Sequence, residues 1–397
     1  MENSPAYANI IRVLFIVILV SLPLKNSIYQ VSYGLFSILF LWILFRLGDF
    51  YFIKNYILIT SLFLLILISM LVSNTIGIGN IESFDLVFKF FYRYILFYFS
   101  LLYFMEQKVL TFKFISIVLM SSFSIQVFDG VYQYHTGFDL FVHSPMDGNG
   151  RRLTGSMFSS NIYGYIIAIN IAFLTYYAVK NLLEDNSHLK NLLFTILIVA
   201  SLFSLLYSAS RSSWIMFFIF TAAYISYNYK MVDKYVYCLI ILLVIALTAC
   251  IYTDDSLLHR FNQLVTGYSS YRWDIWEFSS ENILKAPLFG YGLNGYSNLN
   301  GPLVGMPHNI IAEVLLFTGV SGFLLFSALF STAIKSTQSI IKKDRLLGSF
   351  MLFLFLSILI GYLFDHSITD GKVATTILFV IMAMITYLSS SKRDQKC

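Results

Sequence analysis

The chain has 397 residues, 58% hydrophobic and only 12% charged, with 39 phenylalanines, 28 tyrosines and a net charge of +5. A soluble globular protein carries about 25% charged residues, so this composition excludes a water-soluble domain and describes a chain dissolved in lipid. No basic run suggests nucleic acid, and Cys238, Cys250 and Cys397 have neither disulfide-framework nor metal-ligand spacing.

In chain order, 12 apolar stretches are expected to cross a bilayer: near residues 10–24, 28–46, 55–73, 84–104, 111–130, 160–179, 191–207, 213–229, 235–252, 317–334, 346–364 and 373–389. Each approaches the roughly 20 residues needed at about 1.5 Å per residue. The first has no small-residue cleavage site and reads as a retained helix. With the N-terminus inside, most basic residues fall in the cytoplasmic turns and tail, among them Lys54, Lys113, Lys234, Lys343 and Lys392. That excess predicts both termini in the cytoplasm.

Most connections are short, but two on the outer side are long, about 131–159 and 253–316. Loops beyond about 15 residues are uncommon unless they work. No internal repeat or soluble domain is evident. The expectation is one integral membrane domain, 1–397, capped by those two loops.

The candidate chemistry lies where loops meet the membrane. A glycine-rich loop ends in Pro307-His308-Asn309 and an apolar helix follows at once. His308 can take a proton near neutral pH, although it can equally be a residue that only leads the helix, with Asn309 as its cap. Arg211 occupies a hairpin, Ser208-Ala209-Ser210-Arg211-Ser212-Ser213-Trp214, whose serines could hydrogen-bond the same anion. Arg272 opens a predicted interfacial helix, with Trp273 and Trp276 on one side and Asp274, Glu277 and Glu281 on a polar face. Those acids read as a solvated face rather than a metal site. His135, His143, His259 and His366 are scattered without ligand spacing.

Arg151 and Arg152 precede a membrane helix for which Ser160 or Asn161 is the expected N-cap. Arg93 and Lys89 fall inside the fourth stretch, where charge is costly, so they should pair with an acid or reach the outer cavity. One interfacial arginine often only snorkels to a headgroup. Several guanidiniums at one boundary suit a lipid phosphate or diphosphate, which they grip with a two-pronged fork. Arg93, Arg151, Arg152 and Asn309 are accordingly read as substrate-binding.

The ordered pieces Ser210-Arg211-Ser212-Ser213-Trp214, Tyr271-Arg272-Trp273, Pro287-Leu288-Phe289-Gly290-Tyr291-Gly292 and Pro307-His308-Asn309, with Gly319 and Gly322 in the helix beyond, resemble the O-antigen ligase and polymerase superfamily. The resemblance spans roughly residues 150–335. It implies an all-α polytopic membrane protein, GT-C-like, of about 12 transmembrane helices, whose periplasmic loops cover a cavity. It further implies a metal-independent, cofactor-free glycosyl transfer from undecaprenyl diphosphate. Arg211 and Arg272 would bind the diphosphate and His308 would activate the acceptor. Ser-Arg-Ser-Ser-Trp stands where Ser-Arg-Gly-Ala-Trp is commoner, and the arginine is kept.

Elementary chemistry reaches a similar place. A glycosyl diphosphate has a good leaving group once fixed positive charge meets its growing negative charge. A hydroxyl acceptor gains about 10²–10⁴-fold from a nearby base, and a base on the face opposite the diphosphate would invert the anomeric centre. The expected activity is O-antigen ligase in the bacterial inner membrane, moving glycan to lipid A–core on the periplasmic side. The alternative is an O-antigen or exopolysaccharide polymerase whose acceptor is a second lipid-linked repeat. A transporter or flippase would need discontinuous helices and midplane charges, whereas the polar residues here gather at one face.

Overall fold

A computed structural model describes residues 5–24, 27–49, 51–79, 81–147, 152–184, 187–231, 248–267, 271–302, 305–369 and 371–390. Arg151, Gly148, Lys234, Cys238, Cys397, the basic tail and most of the expected span 235–252 lie outside the described residues. The fold is all-α. Among the described residues, two isolated β-bridges lie outside the helices, Phe138 with Pro145 and Asp147 with Arg152.

The helices that position the site are α1 (Pro5–Ser21), α2 (Ser27–Leu47), α3 (Ile57–Ile76), α4 (Ile81–Glu106), α5 (Phe112–Thr136), α6 (Ser160–Glu184), α7 (His188–Ser208) and α8 (Arg211–Tyr227). They are followed by α9 (Asp255–Val265), α10 (Arg272–Lys285), α11 (Ile310–Lys343), α12 (Arg345–Tyr362) and α13 (Lys372–Ser390). Among the described residues, nine of these are long and apolar enough to cross a membrane. The chain is a multi-pass membrane protein. Helices α1 and α8, at 17 residues each, coincide with two further expected spans.

Large apolar side chains such as Val31, Phe45, Leu58 and Leu192 face outward, as a lipid-bathed bundle requires. The centre is α13, the most deeply buried of these spans. Hydroxyl pairs tie it to three neighbours: Tyr29 with Thr376 at 3.1 Å, Tyr98 with Thr386 at 2.8 Å, and Tyr362 with Thr375 at 3.1 Å. Such interhelical bonds contribute about 0.6 kcal/mol each.

Helix α11 begins at Ile310, seven residues before the expected span, because the Asn309 side chain caps it. It is broken at Gly319, whose φ of 64° suits glycine alone. The segment from Pro287 to Gly292 runs against this break. Val320 N donates to Pro287 O at 2.8 Å, while Tyr291 N and Gly292 N donate to Leu316 O and Phe317 O at 2.8 and 2.9 Å. A side chain on Gly319 would meet Leu288 backbone at 2.4 Å, and one on Gly290 would meet Leu316 O at 2.6 Å. The glycines of this motif therefore permit backbone-to-backbone contact at the break, and the loop satisfies the exposed helix groups that lipid could not.

Candidate active site

Helix α10 opens at Arg272, as its spacing predicts. Ile275, Ser279 and Asn282 face inward, and Ile275 packs with Tyr296, Leu316 and Phe317 of the loop and α11. Trp273 remains exposed and its ring meets Trp276 edge-on at 5.3 Å. Asp274, Glu277 and Glu281 are exposed, as expected of a solvated face. This packing fixes Arg272 beside the start of α11.

His308 stands one residue before the Asn309 cap, with φ at 50°, in the left-handed region. Asn309 Oδ1 accepts from Ile311 N at 2.9 Å and Ala312 N at 3.2 Å. That is helix capping, the ordinary role of such a residue.

Both candidate residues meet Asp365, in the turn between α12 and α13. Its Oδ1 lies 3.6 Å from Arg272 Nη2 and 3.5 Å from His308 Nδ1. His308 Nδ1 also donates to the Asp365 carbonyl oxygen at 3.3 Å. The carboxylate is buried, with its side chain 5% exposed, whereas Arg272 and His308 keep 18% and 20%. Asp365 is the backing and the other two present the accessible edges. Among the described residues, nothing accepts a hydrogen bond from the Arg272 guanidinium.

The tautomer follows from the partners. Both Asp365 groups facing Nδ1 are acceptors, so Nδ1 carries the proton and Nε2 holds the basic lone pair when the ring is neutral. Burial depresses the imidazolium, and Arg272 does too. The hydrogen bond and charge of Asp365 outweigh both, so the His308 pKa is raised above its ordinary value. Arg272 alone would lower it; the carboxylate between the two reverses the sign. Asp365 itself is held below the usual carboxylate range despite its burial, by His308, His366 and Arg272.

Glu313, on the first turn of α11, holds the same turn. Its carboxyl accepts from Ser367 Oγ at 2.7 Å, Thr369 Oγ1 at 2.6 Å, Thr369 N at 3.1 Å and Ile368 N at 3.2 Å. His366 is buried edge-on to Tyr165 at 4.4 Å, and burial pushes its pKa down to about 4. It is therefore a neutral ring at ordinary pH.

Only two residues separate α7 from Arg211 at the start of α8, a turn made possible by Ala209 at φ 50°. Its Nη1 donates to Gln263 O at 3.3 Å, and Arg260 Nη1 donates to Gln263 Oε1 at 3.1 Å, so α9 brings a second guanidinium alongside. Ser210, Ser212 and Ser213 do not line an anion site as expected. They are buried, with Ser210 Oγ bonded to Ser213 Oγ at 2.8 Å and Ser213 against Gly164 of α6.

Arg152 spends its fork on protein. Nε donates to Ser208 O at 3.1 Å, Nη2 to Asn161 Oδ1 at 2.7 Å, and Nη1 faces Asp147 at 3.7 Å. It thereby pins the hairpin of Arg211 to the start of α6. Burial, followed by the charge of Arg260, lowers its pKa to about 10, and it also feels Arg211, Asp147 and Asp365. One electrostatic field thus joins the Arg211 side to the Asp365 side.

Residues 196–327, a third of the chain, match the family model described as O-antigen ligase. Over that stretch the chain is similar to the O-antigen ligase and polymerase family. That family consists of glycan-transfer enzymes working on lipid-linked glycans in a membrane. No curated protein is significantly similar to the chain. The matched stretch contains Arg211, Arg260, Arg272, His308 and Asn309, and is narrower than the 150–335 expected from the motifs.

Arg93, Arg152, Asp365 and Glu313 fall outside the matched stretch or, for Glu313, outside the motifs that pointed to it. The structure gathers Arg152, Arg211, Arg272 and His308 at one end of the bundle. Arg93 shares no described contact with them, and its Nε donates to Tyr92 Oη at 3.0 Å. Sequence reasoning missed Arg260, Asp365 and Glu313. The available signal for Asp365 was an acid beside a histidine in a short turn between two apolar helices.

Proposed function

We propose that this chain is an O-antigen ligase, moving glycan from undecaprenyl diphosphate to lipid A–core on the periplasmic side of the bacterial inner membrane. The observation that carries this reading is Asp365, one buried carboxylate that meets both Arg272 and His308. It joins an anion-binding cation to a base whose reactive nitrogen is set.

In this mechanism Arg211 and Arg272, with Arg260 alongside, meet the charge that grows on the departing diphosphate. His308 Nε2 takes the proton of the acceptor hydroxyl as its oxygen bonds to the anomeric carbon. The bond from that carbon to the diphosphate oxygen breaks, and undecaprenyl diphosphate leaves. Asp365 keeps the proton on Nδ1 and steadies the imidazolium that forms. Attack opposite the leaving group inverts the anomeric centre, and no step requires a metal. Arg152 acts by holding the Arg211 hairpin and adding to the field.

The break at Gly319 is the kind of helix discontinuity that transporters use for binding. Here its backbone groups are taken by the chain's own 287–292 loop, which favours transfer over transport. The test is the lipopolysaccharide of a strain lacking the gene. Lipid A–core without O-antigen, beside accumulated lipid-linked polymer, is expected. Core bearing a single repeat would assign a polymerase instead.

A further inference from the structure

Arg93 lies in a π-helical turn, Phe91–Ile95, within α4. Such turns inside α-helices are frequent at functional sites. Across from it, Lys372 opens α13, donates to Leu24 O at 3.2 Å, and sits 4.5 Å from the Tyr29 ring. Both cations are half-buried, and the turn of Arg93 packs on the helix of Lys372 through Tyr94, whose ring stacks on Phe379 at 5.6 Å. Two like charges drawn partly out of water need an anion. Among the described residues, no carboxylate is within ion-pair distance of either, and Asp85, on the preceding turns of α4, is held by Lys89.

The surroundings say what kind of anion. Ile28 on α2 and Phe88 and Phe91 on α4 are 57%, 62% and 40% exposed, forming an apolar outer surface beside the cations. Lys372 follows Asp365 in the same turn, so this pair occupies the end of the bundle that carries His308. A charged head with acyl or prenyl tails fits such a place: the head on Arg93 and Lys372, the tails along α2 and α4.

We propose that Arg93 and Lys372 hold the phosphate of a membrane-anchored lipid, at a site separate from the arginines around Asp365. On the transfer reading, and resting on it, the occupant is the acceptor lipid, anchored here while its glycan reaches His308. A transferase with two lipid substrates needs two such grips.

The test uses the full chain in neutral detergent, with retained lipid counted by native mass spectrometry. Phosphatidate should be retained by the unaltered protein and by Arg272→Ala, and phosphatidylcholine far less by both. The Arg93→Gln/Lys372→Gln double variant should lose about tenfold or more of that phosphatidate affinity. Arg93→Lys, which keeps the charge, should retain most of it, and the double variant is compared only as protein that elutes and melts like the unaltered chain. Equal phosphatidate binding by the double variant and the unaltered protein would overturn the site. Inorganic phosphate binding as tightly as phosphatidate would overturn the lipid assignment. Loss of transfer in Arg272→Ala with phosphatidate still bound separates this claim from the proposed reaction.

Discussion

His308 Nδ1 lies 3.3 Å from the backbone carbonyl and 3.5 Å from a carboxylate oxygen of Asp365, 57 residues further along the chain. Two acceptors on one nitrogen leave the other as the base. His308→Ala should therefore lose about 10²–10⁴-fold in turnover, while donor binding survives on the arginines. His308→Gln should stay poor, since an amide hydrogen-bonds but takes no proton. Transfer with purified donor and acceptor is the assay, and a near-normal glutamine variant would remove the general-base role.

The pH profile carries the sign of the Asp365 contact. Only neutral imidazole is a base, so the rate should rise with pH and level off above the His308 pKa. Asp365 holds that pKa above its ordinary value, so the half-maximal point should fall above about 6.5. Asp365→Asn removes the charge, and its midpoint should move to lower pH as turnover drops. An unchanged midpoint in Asp365→Asn would mean that this carboxylate does not tune the base.

For Arg211 and Arg272 the expected order is arginine, then lysine, then alanine. Lysine keeps the charge and loses the fork, and alanine should cost about 2–4 kcal/mol of transition-state stabilisation. Arg272→Ala also leaves Asp365 short of a counter-charge, so kcat/KM is compared at matched amounts of folded protein. Full activity in both alanine variants would take these residues out of the mechanism.

The helices were legible because lipid imposes a simple demand, a run of about 20 apolar residues with its backbone bonds satisfied internally. Arg211, Arg272 and His308 were legible because each opens or precedes a helix at a loop. Asp365 was not, since its contact with His308 depends on α11 and α12 folding back on each other at Asp344, which caps α12 at 2.9 Å through Leu347 N. No local pattern encodes that return. The serines around Arg211 misled for a related reason. A serine serves an anion or an interior equally well, and Gly164 on α6 decided between them by letting the hairpin pack closely.

Orientation can be read with cysteines placed in a background lacking Cys238, Cys250 and Cys397. Lys54→Cys and Lys113→Cys should resist an impermeant thiol reagent in intact cells, and Glu281→Cys should react once the outer membrane is breached. Glu281 is exposed on α10, whereas Gly295, an obvious choice in the loop, is buried. Labelling of position 281 only after the inner membrane is opened would reverse the assignment of the active side.

Glu313 offers a test of how the turn between α12 and α13 holds Asp365 in place. Its two oxygens receive four hydrogen bonds from Ser367, Ile368 and Thr369, and the residue is 1% exposed. Glutamine supplies one oxygen and turns an N–H toward a donor, leaving buried groups unpaired at about 1–3 kcal/mol. Glu313→Gln should lower the melting temperature of the detergent-solubilised protein, which any buried defect would do. A positioning role adds something a defect alone does not. With the turn loosened, Asp365 draws away from His308, and the pH midpoint of transfer should fall toward that of Asp365→Asn. A lowered melting temperature with the midpoint unmoved would confine Glu313 to structure.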